Sequence, residues 1–142
     1  MPISPSHNSR LGAVERTRLG AEILATYARV RWLLHSRDPK DAVADLRKYA
    51  RRHEARPEPG QELLVGWRLA HAVNVTLSPL PLDVRCLVRS LTLLTLMERR
   101  DLHPKLVIGV RPRPFAAHAW VELHGHPLLP GADSEHERLA EI

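Results

Sequence analysis

Two side chains in this sequence can carry thiol chemistry together. One is Cys86, the only cysteine, and the other is His118, inside the segment "PFAAHAWVELHGHP" at 114–127. A thiol reacts as its thiolate, and an imidazole within reach can take the proton and later hand it to a leaving amine. Such a pair attacks a carbonyl, holds the acyl group as a thioester and releases an amine. Each residue alone has a plainer reading. A lone cysteine is commonly a small buried hydrophobe, and a histidine on a strand is commonly a structural ring. With one cysteine no disulfide forms within the chain, so Cys86 is either packing or a nucleophile.

The elements that must position the pair are legible on either side. In "DVRCLVRSLTLLTLMERRD" Asp83 suits a helix N-cap, which makes Cys86 the third helical residue. The unpaired N–H groups and the dipole of a first turn stabilise a thiolate, and Arg85 and Arg89 act in the same direction. Leu87, Leu91, Leu94 and Met97 mark the inward face of this helix, which should end near Arg100. "KLVIGV" (105–110) is short, β-branched and bounded by prolines, so it reads as a strand; "FAAHAWVEL" (115–123) reads as a second.

A third residue should orient the imidazole. Glu122 shares the strand face of His118 but lies two pleats on, ~13 Å along the strand, too far to bond it. The neighbouring strand is the better source. A two-residue turn centred on Gly125 and His126 pairs His124 with Pro127 and carries the register back to His118 opposite Asp133. Pro127 and Pro130 interrupt such pairing, and a slip of one residue reverses the face. Asp133 as a solvated loop residue therefore stays open beside Asp133 as the orienting acid. Phe115 and Trp120 read as packing around the site, with shaping of an oxyanion pocket as the alternative for Trp120.

His118, His124 and His126 are close in sequence, yet the last two flank a turn and no tight ligand pair such as CxxC accompanies them. His71, His103 and His136 add no ligand spacing. No metal and no cofactor are expected.

The first half reads as helices. Leu19, Ile23, Tyr27, Val30 and Leu34 form one apolar stripe on a helix over 11–36. In "RDPKDAVADLRKYARR" Asp38 is the cap and Pro39 the first helical position, with Val43, Leu46 and Ala50 inward. Residues 54–61 form a loop. A third helix runs through Leu63, Leu64, Trp67, Ala70 and Asn74, and the prolines of "SPLPLD" force an extended connection. The fold class is α+β in one domain, 1–142: helices over about 11–77, then the cysteine helix and a small antiparallel sheet over 82–136.

The 142 residues, 44% hydrophobic, suffice for one core, built mostly of Leu, Val and Ala because aromatics are few. The net charge of +5 is spread over helical faces as pairs such as Arg16/Arg18, Arg29/Arg31 and Arg99/Arg100. No block of like charge and no aromatic–basic platform argues for nucleic acid. The arginines suit solubility or an acidic peptide. No apolar run is long enough for a membrane span, and the start lacks the apolar stretch of a signal peptide, so a cytoplasmic protein is expected.

The segment "CLVRSLTLLTLMERRDLHPKLVIGVRPRPFAAHAWVELHGHPLLP" resembles the leader-peptidase domain of lasso-peptide biosynthesis, a bacterial family related to transglutaminases and papain-like cysteine proteases. The matching elements are Cys86-Leu87 with Arg89-Ser90-Leu91, Arg99-Arg100, Ile108-Gly109-Val110, Pro114-Phe115, and His118-Ala119-Trp120-Val121-Glu122 followed by Gly125. The resemblance covers about residues 82–130. It implies a papain/transglutaminase-like core and a hydrolase acting on a ribosomally synthesised precursor peptide. Cys86 would form the thioester with the leader, and His118 would protonate the released core amine. The partners implied are the precursor, a separate leader-recognition protein and an ATP-using, asparagine-synthetase-like cyclase. The family's acidic residue about twelve positions past the histidine is Pro130 here, so the third role falls to Asp133 or a backbone carbonyl, or is absent. The glycine usual after the arginine pair is Asp101. A thiol acyltransferase of the transglutaminase type and a non-catalytic adaptor are the competing functions.

Overall fold

The computed structural model describes residues 5–50, 60–79, 86–112, 115–128 and 137–141. Four helices, α1 (Pro5–Ser36), α2 (Pro39–Ala50), α3 (Glu62–Leu77) and α4 (Cys86–Glu98), precede four strands. The strands are β1 (Lys105–Pro112), β2 (Phe115–Leu123), β3 (His126–Pro127) and β4 (Glu137–Glu141), in the order β3-β2-β1-β4, every pairing antiparallel. The α+β expectation of helices followed by a small antiparallel sheet is met. Asp83, Arg85, Pro130 and Asp133 lie outside the described residues.

The long helix α1 buries Ile23, Thr26, Tyr27, Val30 and Leu33. At the start of α2 the N–H of Ala42 donates to the carbonyl of Asp38 at 2.9 Å, the first helical bond of an element whose Pro39 has no N–H to lose. Ala42, Val43, Leu46 and Ala50 then face inward. On α3 the buried set is Gly66, Leu69, Ala70, Val73 and Leu77, whereas Leu64 and Trp67, read as part of that helix's apolar pattern, are about half exposed. Gly66 explains the rotation. A Cβ there would lie 3.1–3.3 Å from Leu123, Leu128 and Met97, so only glycine lets α3 come this close to the end of the sheet and to α4.

The cysteine-bearing helix α4 is the centre of the molecule. Every residue from Ser90 to Met97 is buried, because α1, α2, α3 and the sheet surround it. Its threonines stay satisfied inside the helix: Thr92 Oγ1 donates to Val88 O at 2.7 Å and Thr95 Oγ1 to Leu91 O at 2.8 Å. The helix stops at Glu98, close to the expected Arg100. Asp101 takes φ 57°, its N–H bonds Glu98 O at 3.0 Å and that of Leu102 bonds Met97 O at 3.1 Å, the pattern of a Schellman cap. Asp101 thus occupies the left-handed position that glycine fills most easily.

Both β1 and β2 begin where the sequence placed them, and β2 has the expected bounds. The turn after β2 differs. Its central residues are His124 (φ 52°) and Gly125 (φ 78°), so Leu123 pairs with His126 and Glu122 with Pro127. Two successive left-handed residues make the turn that matches strand twist, with glycine second. The turn therefore sits one residue earlier than expected, which moves every cross-strand partner by two residues, and the argument that set Asp133 opposite His118 falls with it. Strand β4, beyond the expected end of the sheet at 136, was not anticipated.

Candidate active site

Alternation along β2 divides its side chains between two faces. Ala119, Val121 and Leu123 join the main core with Leu106 and the helices. His118, Trp120 and Glu122 point the other way, and Val107, paired with Trp120, is buried beside them. His118 stands opposite Gly109 in register, so β1 places no side chain directly across from the ring.

On that second face the three β2 residues form a chain of contacts. The rings of His118 and Trp120 stack with centroids 5.9 Å apart and planes 23° apart. The indole Nε1–H of Trp120 donates to Glu122 Oε1 at 3.0 Å, a buried bond. Trp120 is 3% exposed and Glu122 6%, while His118 is half-buried with its Nε2 inside the protein. Reading the strand by distance excluded Glu122 from the imidazole; in the structure its Oε1 accepts from Trp120. What that reading missed is the intermediary, although the spacing 118, 120, 122 on one pleated face is its signal.

Cys86 is the first residue of α4. Its backbone position is set by two hydrogen bonds one turn or less downstream. Arg89 Nη1 donates to Asn74 Oδ1 on α3 at 3.1 Å. Ser90 Oγ donates to Ala119 O on β2 at 3.0 Å, and this bond is buried. The direction of that carbonyl matters. Val121 O accepts Leu128 N–H at 2.9 Å, so it points away from β1; Ala119 O, one pleat earlier, points to the same edge. Among the described residues β3 is His126–Pro127. The hydroxyl of Ser90 bonds the carbonyl on this edge of β2, beside His118. Farther along, Met97 of α4 and Leu123 of β2 meet at Gly66, so helix and strand run in the same direction over this contact.

The other sequence candidates are accounted for as follows. Asp133 is not among the described residues. His124 Nε2 lies 2.9 Å from Glu62 Oε2, which ties the hairpin tip to the start of α3. Among the described residues no group of three His, Cys, Asp or Glu side chains could hold a metal ion, and no helix is long and apolar enough to cross a membrane. Arg99 and Arg100, counted among the surface arginines, are largely covered. Both reach Glu22 of α1, at 3.3 and 3.0 Å, and Arg99 also lies over the ring of Tyr49.

Comparison with known proteins places one label on this geometry. Residues 23–142 match the transglutaminase-like superfamily, a span that includes the second part of α1 and all later elements. No curated protein and no solved structure matches the chain.

Proposed function

The chain belongs to the transglutaminase-like superfamily, and from that premise we propose that it is a cysteine protease removing the leader from a lasso-type ribosomally synthesised precursor. The superfamily includes cysteine peptidases. The observation that carries the reading is the buried bond from Ser90 to Ala119 O. It fastens the helix that opens on Cys86 to the residue next to His118. Cys86 precedes Ser90 by four residues, one helical turn, so the two positions share a face of α4. The resemblance of residues 82–130 to lasso-peptide leader peptidases supplies the substrate class.

The chemistry follows from the residue types. His118 takes the Cys86 proton, and the thiolate sulfur adds to the scissile carbonyl. Collapse of the tetrahedral adduct breaks the C–N bond. The imidazolium gives its proton to the departing amine, which becomes the N-terminus of the core peptide. The leader remains as a thioester on Cys86. Water, deprotonated by the same imidazole, hydrolyses it to a carboxylate and restores the thiol. Asp133 is the proposed third member, orienting the ring from the segment after β3. A separate recognition protein delivers the leader, and an ATP-using cyclase consumes the freed amine.

The test is cleavage of a lasso precursor with and without a recognition protein, followed by product mass. Leader acid plus free core supports the proposal. Leader joined to an added amine would make the protein an acyltransferase. No turnover, with Cys86 alkylated no faster than a free thiol, would make it an adaptor.

A further inference from the structure

A histidine that shuttles protons must keep its ring plane fixed, and in many thiol enzymes a side chain bonded to the imidazole does this. On β2 a second means is built into the strand itself. Trp120 lies against the imidazole of His118 on one side, and Glu122 holds the indole by its only polar atom. A tryptophan indole has a single donor, so the bond to Glu122 Oε1 fixes the rotation of the ring about its side-chain axis. Both groups are almost wholly buried, where such a bond meets little competition from water. Gly109, across from His118, brings no side chain to the imidazole from β1.

We infer that Trp120 and Glu122 are positioning residues: the carboxylate orients the indole, and the indole orients the imidazole of His118. Neither touches substrate. The inference rests on the catalytic reading of His118 and adds to it two residues that act through a stack instead of a direct bond. The alternation His-x-Trp-x-Glu is what makes the device possible, since only residues two apart share a face at neighbouring pleats.

The experiment reads His118 and Trp120 directly by NMR in the full-length protein. The readouts are the ring-current shifts of the imidazole C–H protons, which report how the indole lies against the ring, and the indole N–H resonance. Three variants are compared with the wild type: Trp120→Leu, which removes the stack and supplies the unstacked reference; Glu122→Leu, which loses the acceptor; and Glu122→Gln, which keeps a neutral acceptor. In Glu122→Leu the imidazole protons should move toward their Trp120→Leu positions and the indole N–H to the position of an unbonded indole. Glu122→Gln should restore the wild-type pattern at both rings. A wild-type imidazole pattern in Glu122→Leu, or a Glu122→Gln protein indistinguishable from Glu122→Leu, would overturn the inference. These readouts do not depend on turnover, so their failure leaves the protease reading intact, and a protein inactive on lasso precursors leaves them interpretable.

Discussion

The two ends of α4 are held by different physics. At its C-terminus charge and a closed backbone cap do the work. Arg99 and Arg100 converge on Glu22, Arg99 stacks over Tyr49, Arg100 Nη1 also donates to Leu96 O at 2.9 Å, and the Schellman bonds finish the helix. At its N-terminus, where the dipole favours negative charge and Cys86 stands, two single hydrogen bonds fix the backbone: Arg89 to Asn74 and Ser90 to Ala119 O. The first end makes the fold stable, and the second sets register between a helix start and a strand. On the proposed function, stability and chemistry separate along one helix, and variants at the two ends should show it.

The largest effects belong to the proposed reacting pair. Cys86→Ala and His118→Ala should each lower precursor cleavage by at least ~10³-fold while leaving thermal unfolding close to wild type, as expected for groups that act only in the reaction. Ser90→Ala comes next because it touches both properties. It leaves a buried carbonyl without its hydroxyl donor, a cost of about 1–3 kcal/mol in denaturant unfolding, and cleavage should fall with it. Glu22→Gln should be the mirror image. Loss of the charge under two largely covered guanidiniums should cost about 1–3 kcal/mol, with turnover per folded molecule unchanged. Equal damage to turnover from Glu22→Gln would erase the distinction between the two ends.

Smaller effects sharpen the same contrast. Gly125→Ala forces a side chain onto φ 78° at the hairpin tip and should cost about 1 kcal/mol, seen as a lower urea midpoint. Glu98, at the stable end of α4, has its carboxyl raised above the usual 4.5 by burial, against the opposing pull of Arg47 and His103. A group with a raised folded-state pKa favours folding most below its unfolded pKa and loses that contribution as pH rises through the folded value. Unfolding measured from pH 4 upward should therefore show this contribution fading above 4.5 in the wild type, and Glu98→Gln should flatten that part of the profile.

The sequence was most readable where local rules and burial agree. The stretch 115–123 alternates cleanly and is β2, and Asp38-Pro39 starts α2 because a missing N–H costs nothing at a first helical position. Where tertiary contact decides, the sequence misled. "ERLAE" has no β-branched residue and still forms β4, because the exposed edge of β1 supplies its partners. The face of α3 turned on Gly66, whose value lies in what it lets approach. The hairpin register turned on which residue accepts positive φ, and His124 does so with Glu62 beside it. At the site, type, order and spacing point to Cys86 and His118. The Trp120–Glu122 bond was not, since distance along the strand was weighed for the imidazole and never for the indole between.

The central claim is that one imidazole governs the ionisation of one thiol. Because the chain has a single cysteine, mass spectrometry of iodoacetamide labelling at neutral pH reads that thiol without ambiguity. The wild type should label at least ~10-fold faster than His118→Ala, the difference between a thiolate paired with a base and an ordinary thiol. Equal rates in the two proteins would contradict the account.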